Sequence, residues 1–125
     1  MVDTMFADEA RDLLLSQPAA EESTPFGPEV LVYKVGKKMF ATLSPEDVPA
    51  RMNLKCDPDR ALELRDEHAS ILPGYHMSKR HWNTLLLDQS LGAALIGELI
   101  EHSYDLVRAS LTKKVRATLP VHGDE

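Results

Sequence analysis

Twelve residues in the second half of the chain, Pro73-Gly-Tyr-His-Met-Ser-Lys-Arg-His-Trp-Asn-Thr84, concentrate nearly every side-chain type that can grip a ligand. Tyr75 and Trp82 offer stacking faces. Lys79 and Arg80 offer positive charge. His76, His81 and Asn83 offer hydrogen bonds of both senses. This mixture suits phosphates and unpaired bases, which are held by cations together with aromatic platforms. Each part also has a bland use, because an indole most often fills core and a lone imidazole most often bonds locally. The density of such groups in one loop makes it the leading site candidate.

A second set emerges from strand alternation. Successive strand residues point to opposite faces. If Leu31, Tyr33, Val35, Met39, Ala41, Leu43, Met52, Leu54 and Cys56 face the core, then Val32, Lys34, Lys38, Phe40, Thr42, Arg51, Asn53 and Lys55 face away. That surface carries four cations, an amide and an aromatic ring with no acid among them. It is either an anion-recognising face or a solvated sheet surface that uses lysine against edge pairing. A third basic group, Arg108, Lys113, Lys114 and Arg116, ends a long helix, where cations suit the negative pole of the helix dipole.

Catalytic patterns are scarce. There is no glycine-rich phosphate loop ending in Lys-Ser/Thr and no Gly-x-Ser-x-Gly. His76 and His81 are five apart, which shares no face of a helix or a strand, so no metal site is expected. The lone Cys56 falls on the predicted core face, a poor place for a nucleophile. One catalytic suggestion survives, an acid–base group of His76, Lys79 and His81 acting on an anionic ligand. The expectation is a protein that binds without catalysis and needs no cofactor.

The elements that must position these residues follow from the pattern. Asp3 or Thr4 caps a first helix that runs to about Gln17, with Phe6, Ala10, Leu13 and Leu14 on one face. Pro18 to Pro28 is a connector, since its three prolines lack the amide hydrogen that regular structure needs. Val30–Val35 and Lys38–Leu43 form a hairpin around Gly36-Lys37, and Arg51–Cys56 alternates as a half-buried strand. Asp57-Pro58 starts a helix reaching about His68. Asn83–Asp88 is strand-like, and a long helix spans about Ser90 to Leu111. The order α-β-β-β-α-β(β)-α predicts an α+β fold. In this two-layer sandwich, helices pack on one face of an antiparallel sheet whose opposite face is partly open.

Bulk properties agree. The 125 residues form one domain over 1–116, with a tail over 117–125 that has little reason to order. The net charge of −6 is concentrated in residues 1–29, where Asp3, Asp8, Glu9, Asp12, Glu21, Glu22 and Glu29 face only Arg11. Residues 30–125 balance thirteen acids with thirteen bases. An acidic total is a poor start for non-specific DNA binding, which depends on neutralising phosphates. The single cysteine, the acidic N-terminus and the absence of a long apolar run predict a cytoplasmic protein with no membrane partner.

Several of these segments together resemble a known family. They are Phe26-Gly-Pro, Val32-Tyr-Lys-Val-Gly-Lys-Lys-Met-Phe-Ala41, Asn53-Leu-Lys-Cys-Asp-Pro58, Gly74-Tyr-His-Met-Ser-Lys-Arg-His-Trp-Asn83 and Ser103-Tyr-Asp-Leu-Val107. The chain resembles the MmcQ/YjbR family of small bacterial proteins from about Phe6 to Arg116, with Ser78 where the family's pattern has asparagine. The resemblance implies an α+β sandwich similar to the frataxin-like and secretion-chaperone-like folds. It also implies the label of DNA-binding protein, described as a double-wing arrangement. Matching positions are Lys34, Lys38, Asn53, Lys55, His76, Lys79, His81, Trp82 and Asn83. The first functional expectation is therefore a DNA- or other nucleic-acid-binding accessory protein. Lys34, Lys38, Arg51, Lys55, Lys79 and Arg80 would meet phosphates, and Tyr75, His76, Trp82 and Asn83 would meet bases. The alternative is a chaperone-like module that binds a protein or peptide on the open face.

Overall fold

The structure, a computed structural model, describes residues 4–75 and 77–120. His76 lies outside the described residues, as do the ends of the chain at 1–3 and 121–125. Ten elements follow one another: α1 (Ala7–Leu15), β1 (Glu21–Ser23), β2 (Leu31–Val35), β3 (Lys38–Ser44), β4 (Ala50–Lys55), α2 (Pro58–Glu67), β5 (Ile71–Pro73), β6 (Trp82–Leu87), α3 (Ala93–Ala109) and α4 (Lys113–Arg116). The strands form one sheet in the order β1-β2-β3-β4-β6-β5, with every pairing antiparallel. α1, α2 and α3 pack against one side of it. The expected two-layer α+β architecture is present.

Local chemistry explains the boundaries. β2 and β3 are joined by Gly36 and Lys37, both with positive φ (55° and 70°). Two left-handed central residues match the right-handed twist of the flanking strands. A β-carbon on Gly36 would also lie 2.6 Å from Leu111 Cδ1, so a larger residue would have to displace that side chain as well as adopt the left-handed conformation. At the start of α2 the Asp57 carboxylate accepts from Arg60 N at 3.2 Å, and Pro58 occupies the first helical position. α3 buries Ile96, Leu99, Ile100, Ser103, Tyr104 and Val107, a stripe recurring every three or four residues.

The sheet departs from simple alternation at one place. β2 pairs with β3 as Tyr33↔Ala41 and then Lys34↔Met39, so Phe40 is an extra residue in a β-bulge. Phe40 and Ala41 consequently both turn inward. Phe40 is fully buried with its ring edge-on to Tyr104, centroids 5.4 Å apart. The expectation that Phe40 faces away and Met39 faces the core is thus reversed, because one inserted residue flips every side chain before it. Ser103 of α3 repairs the ladder where the bulge opens it. Its hydroxyl donates to the Phe40 carbonyl at 2.6 Å and accepts from Lys55 N at 2.8 Å. Two buried backbone groups are satisfied by one side chain.

Three further elements went unforeseen: the short edge strands β1 and β5, and α4. β1 is held by its side chains as much as by its ladder. Glu22 accepts from the Tyr33 hydroxyl at 2.7 Å and takes both arms of Arg11 at 2.7 and 2.8 Å. The apolar helix face expected to hold Phe6 and Leu13 together also separates, since Leu13 packs on the core while Phe6 is 58% exposed. Leu119 packs against the core beyond Arg116.

Candidate functional site

The face of the sheet opposite the helices carries the groove in which the candidate residues meet. Register alone builds its floor. Val32, Thr42, Asn53, Thr84 and Leu72 are successive cross-strand partners, so they form one row across five strands. Within that row Asn53 Nδ2 donates to Thr42 Oγ1 at 2.9 Å, and Thr84 Oγ1 donates to Asn53 Oδ1. Thr84 Oγ1 in turn accepts from the backbone N–H of Tyr75 at 3.1 Å. A polar chain therefore ties three central strands to the loop after β5. A network satisfied internally in this way is rigid, and it fixes where the loop sits.

Two chain segments arch over the row and wall it. One is the connector before β2, contributing Phe26 and Val30; the other is the loop after β5, contributing Tyr75 and Met77. Together with Met39 from the sheet they enclose a groove of about 510 Å³. Phe26 is 71% exposed and Tyr75 is 51% exposed, so apolar surface faces solvent at the rim. Val32 and Thr42 point to this face as expected but are buried beneath the arch.

Among the described residues the groove's charged rim is one pair, Arg51 and Asp47. Arg51 lies over the Tyr75 ring with its guanidinium carbon 5.8 Å from the centroid, a cation–π geometry. Asp47 approaches Arg51 Nε at 4.0 Å. Lys34 and Lys55 share the face further along the strands, Lys34 opposite Glu21 and Lys55 opposite Trp82. Trp82 is half-buried at the start of β6, on the open side rather than in the core.

The remaining predicted residues are elsewhere. Lys38 sits on the helix side of the bulge, with Nζ 3.5 Å from Ser110 Oγ at the end of α3. Asn83 is buried under α2, where its Oδ1 accepts from Arg65 Nε at 2.7 Å and its Nδ2 reaches the Ala61 carbonyl at 3.5 Å. Lys79 and Arg80 line a separate hollow of about 410 Å³ beside α2, which also contains Asp59. Arg65 fixes this turn through the Lys79 carbonyl. His81 is exposed, and its carbonyl accepts from Cys56 N at 2.8 Å. The structure therefore gathers Arg51, Asn53 and Tyr75, keeps Lys34, Lys55 and Trp82 on the same face, sends Lys38, Lys79 and Arg80 to other surfaces, and buries Asn83.

Sequence reasoning missed Phe26, Val30, Met39, Met77 and Asp47 as groove residues. The exposed aromatic in a proline-rich connector was the available signal for Phe26. Met39 needed knowledge of the bulge. Cys56 is buried as expected, and burial pushes its thiol up from the ordinary range. Among the described residues no three His, Cys, Asp or Glu side chains gather as a metal site. Among the same residues no helix is long and apolar enough to cross a membrane.

A family model, YjbR, matches residues 15–106, which spans all six strands and nearly all of α3. The chain belongs to the YjbR family. Protein YbdF of Escherichia coli O157:H7 is 39% identical over 105 residues, covering 84% of this chain and 86% of YbdF. Protein YjbR of Escherichia coli K12 is 30% identical over 115 residues, covering 92% of this chain and 98% of its own. The crystal structure of Deinococcus radiodurans protein DR2400, with domain DUF419, superposes with a TM-score of 0.88 at 40% identity, covering 97% of this chain and 94% of that one. A crystal structure from Pseudomonas syringae gives a TM-score of 0.73 at 29% identity over 82% of this chain and 99% of that one. The fold is thereby shared with a solved structure over nearly the whole length of the chain.

Proposed function

We propose that this YjbR-family chain is a non-catalytic binding protein that holds an extended segment of a partner protein in the open-face groove. An apolar side chain of that segment would sit among Phe26, Met39, Tyr75 and Met77. One observation carries this reading: the groove has apolar walls and a polar floor whose groups already bond to one another. Methionine walls suit such a site because the thioether is flexible and polarizable and adapts to varied side chains. Charge supports the same choice. Lys34 faces Glu21, Arg51 faces Asp47, and Lys79 and Arg80 share their hollow with Asp59, so carboxylates are interleaved with the cations.

A second reading is single-stranded nucleic acid laid across the same face. It is favoured by Arg51 stacked on Tyr75, with Lys34, Lys55 and Trp82 on the same surface. Two assays separate the readings. Selection from a random phage-displayed peptide library is expected to enrich apolar sequences on the wild-type protein and not on Met39→Glu or Tyr75→Ser. Fluorescence polarisation with labelled single- and double-stranded DNA at about 50 mM salt is expected to give no binding. DNA binding with affinity falling by roughly one log unit per log unit of salt for each phosphate neutralised would replace the peptide reading with the nucleic-acid one. Equal enrichment on wild type and on both folded variants would remove the groove as the site.

A further inference from the structure

We infer that Arg51 is the groove's specificity-determining residue, reading a carboxylate that lies next to the apolar anchor of the bound segment. The inference rests on the peptide reading above and names the chemistry of its partner. Three features of Arg51 lead to it. Its guanidinium carbon lies over Tyr75, 5.8 Å from the ring centroid, and this contact restricts the side chain before any ligand arrives. Its one ion pair among the described residues is Asp47 at 4.0 Å, beyond hydrogen-bond reach. Its side chain is 46% exposed at the edge of the groove rather than folded onto the protein.

A guanidinium held over a ring, with no hydrogen bond to any described residue, is pre-organised for a planar two-oxygen acceptor. Pre-organisation lowers the ordering cost of binding, so the fork contributes more here than a free surface arginine would. Asp47 does not compete effectively, because at that separation it supplies long-range attraction without hydrogen bonds. It does screen Arg51 against approach by a lone anion, which makes the carboxylate effective only when the apolar anchor brings it in.

Register gives the spacing. Arg51 lies two residues along β4 from Asn53, which marks the centre of the groove floor. A strand rises ~3.3 Å per residue, so an extended ligand spans that offset in about two residues. The recognised segment thus carries Asp or Glu about two positions from a Leu, Met, Phe or Trp anchor.

The test uses a labelled, end-capped peptide taken from the wild-type selection, in a cycle of four titrations. The protein is wild type or Arg51→Gln, and the peptide carries its acid or the matching amide. Either single change is expected to weaken binding about tenfold to a hundredfold, the range for a charge-assisted hydrogen bond. The double change is expected to cost little more than one of them, the signature of a direct pair. Selected peptides without an acid, or a cycle in which the two changes simply add, would overturn the role of Arg51 while leaving the groove intact. Selection that ignores Met39→Glu and Tyr75→Ser would overturn the peptide reading itself. Arg51 is exposed and makes only a long ion pair and one surface ring contact among the described residues, so Arg51→Gln should melt close to the wild-type temperature.

Discussion

His102 of α3 holds the first turn of α2 by accepting a hydrogen bond from Asp57 N on Nε2 at 3.2 Å. Only the neutral ring can accept there, so the fold favours the unprotonated state. Burial first, and the positive charge of Arg60 second, pull its pKa below the ordinary 6.5. The remaining charges around it, Glu98, Asp57 and Asp105, act in the opposite sense and do not reverse the direction. Below 6.5 the unfolded chain takes up a proton that the folded chain resists. The stabilisation is therefore complete above that pH and is lost as the pH falls through the window beneath it. We expect the urea midpoint of the wild type to drop between pH 7.5 and 5.5. His102→Gln should show a smaller drop, because its amide oxygen can accept from Asp57 at either pH. An equal drop in both proteins would remove His102 as the cause.

Among the elements, the bulge in β3 governs what is exposed. It predicts that Phe40→Ala destabilises the protein by about 3–5 kcal/mol, the usual loss for a buried aromatic. Met39→Ala, on the groove side, should cost much less while weakening partner binding. Urea denaturation of the two variants checks this, and the reverse order would mean uninterrupted alternation. Much of the element list was legible beforehand, since apolar periodicity reports which residues are hidden from water whatever their partners. The hairpin, the alternating strand at Arg51–Cys56 and the cap at Asp57-Pro58 are signals of that local kind. The bulge was not legible, because Lys38-Met-Phe-Ala-Thr-Leu43 contains no glycine or proline to mark it. Its cause is tertiary: Tyr104 receives the extra ring and Ser103 receives the two displaced backbone groups. β1 and β5 were hidden for a related reason, each being three residues long and defined by its neighbour's ladder.

For the whole molecule, the question is how the charge is spread over the fold. The acidic leader does not hang free. It enters the sheet as β1, placing Glu21 opposite Lys34 on the open face and holding Glu22 against Tyr33 and Arg11 on the other. Spacing along the chain could identify the cations but not this interleaving, since Glu21 and Lys34 meet only through pairing across the connector. The candidate site was accordingly half legible. Arg51, Asn53 and Tyr75 converge on the groove, whereas Lys79, Arg80 and Asn83, neighbours of Tyr75 in sequence, lie away from it, as does Lys38. The central claim is that binding takes place over the Thr42–Asn53–Thr84 row. Its most direct test is the change in backbone amide NMR shifts when a selected peptide is added to isotope-labelled protein. The account predicts changes concentrated at Phe26–Val30, Met39–Ser44, Arg51–Asn53, Tyr75, Met77 and Thr84. Changes centred instead on α2, Lys79 and Arg80, with the amides of Thr42 and Asn53 unmoved, would contradict it.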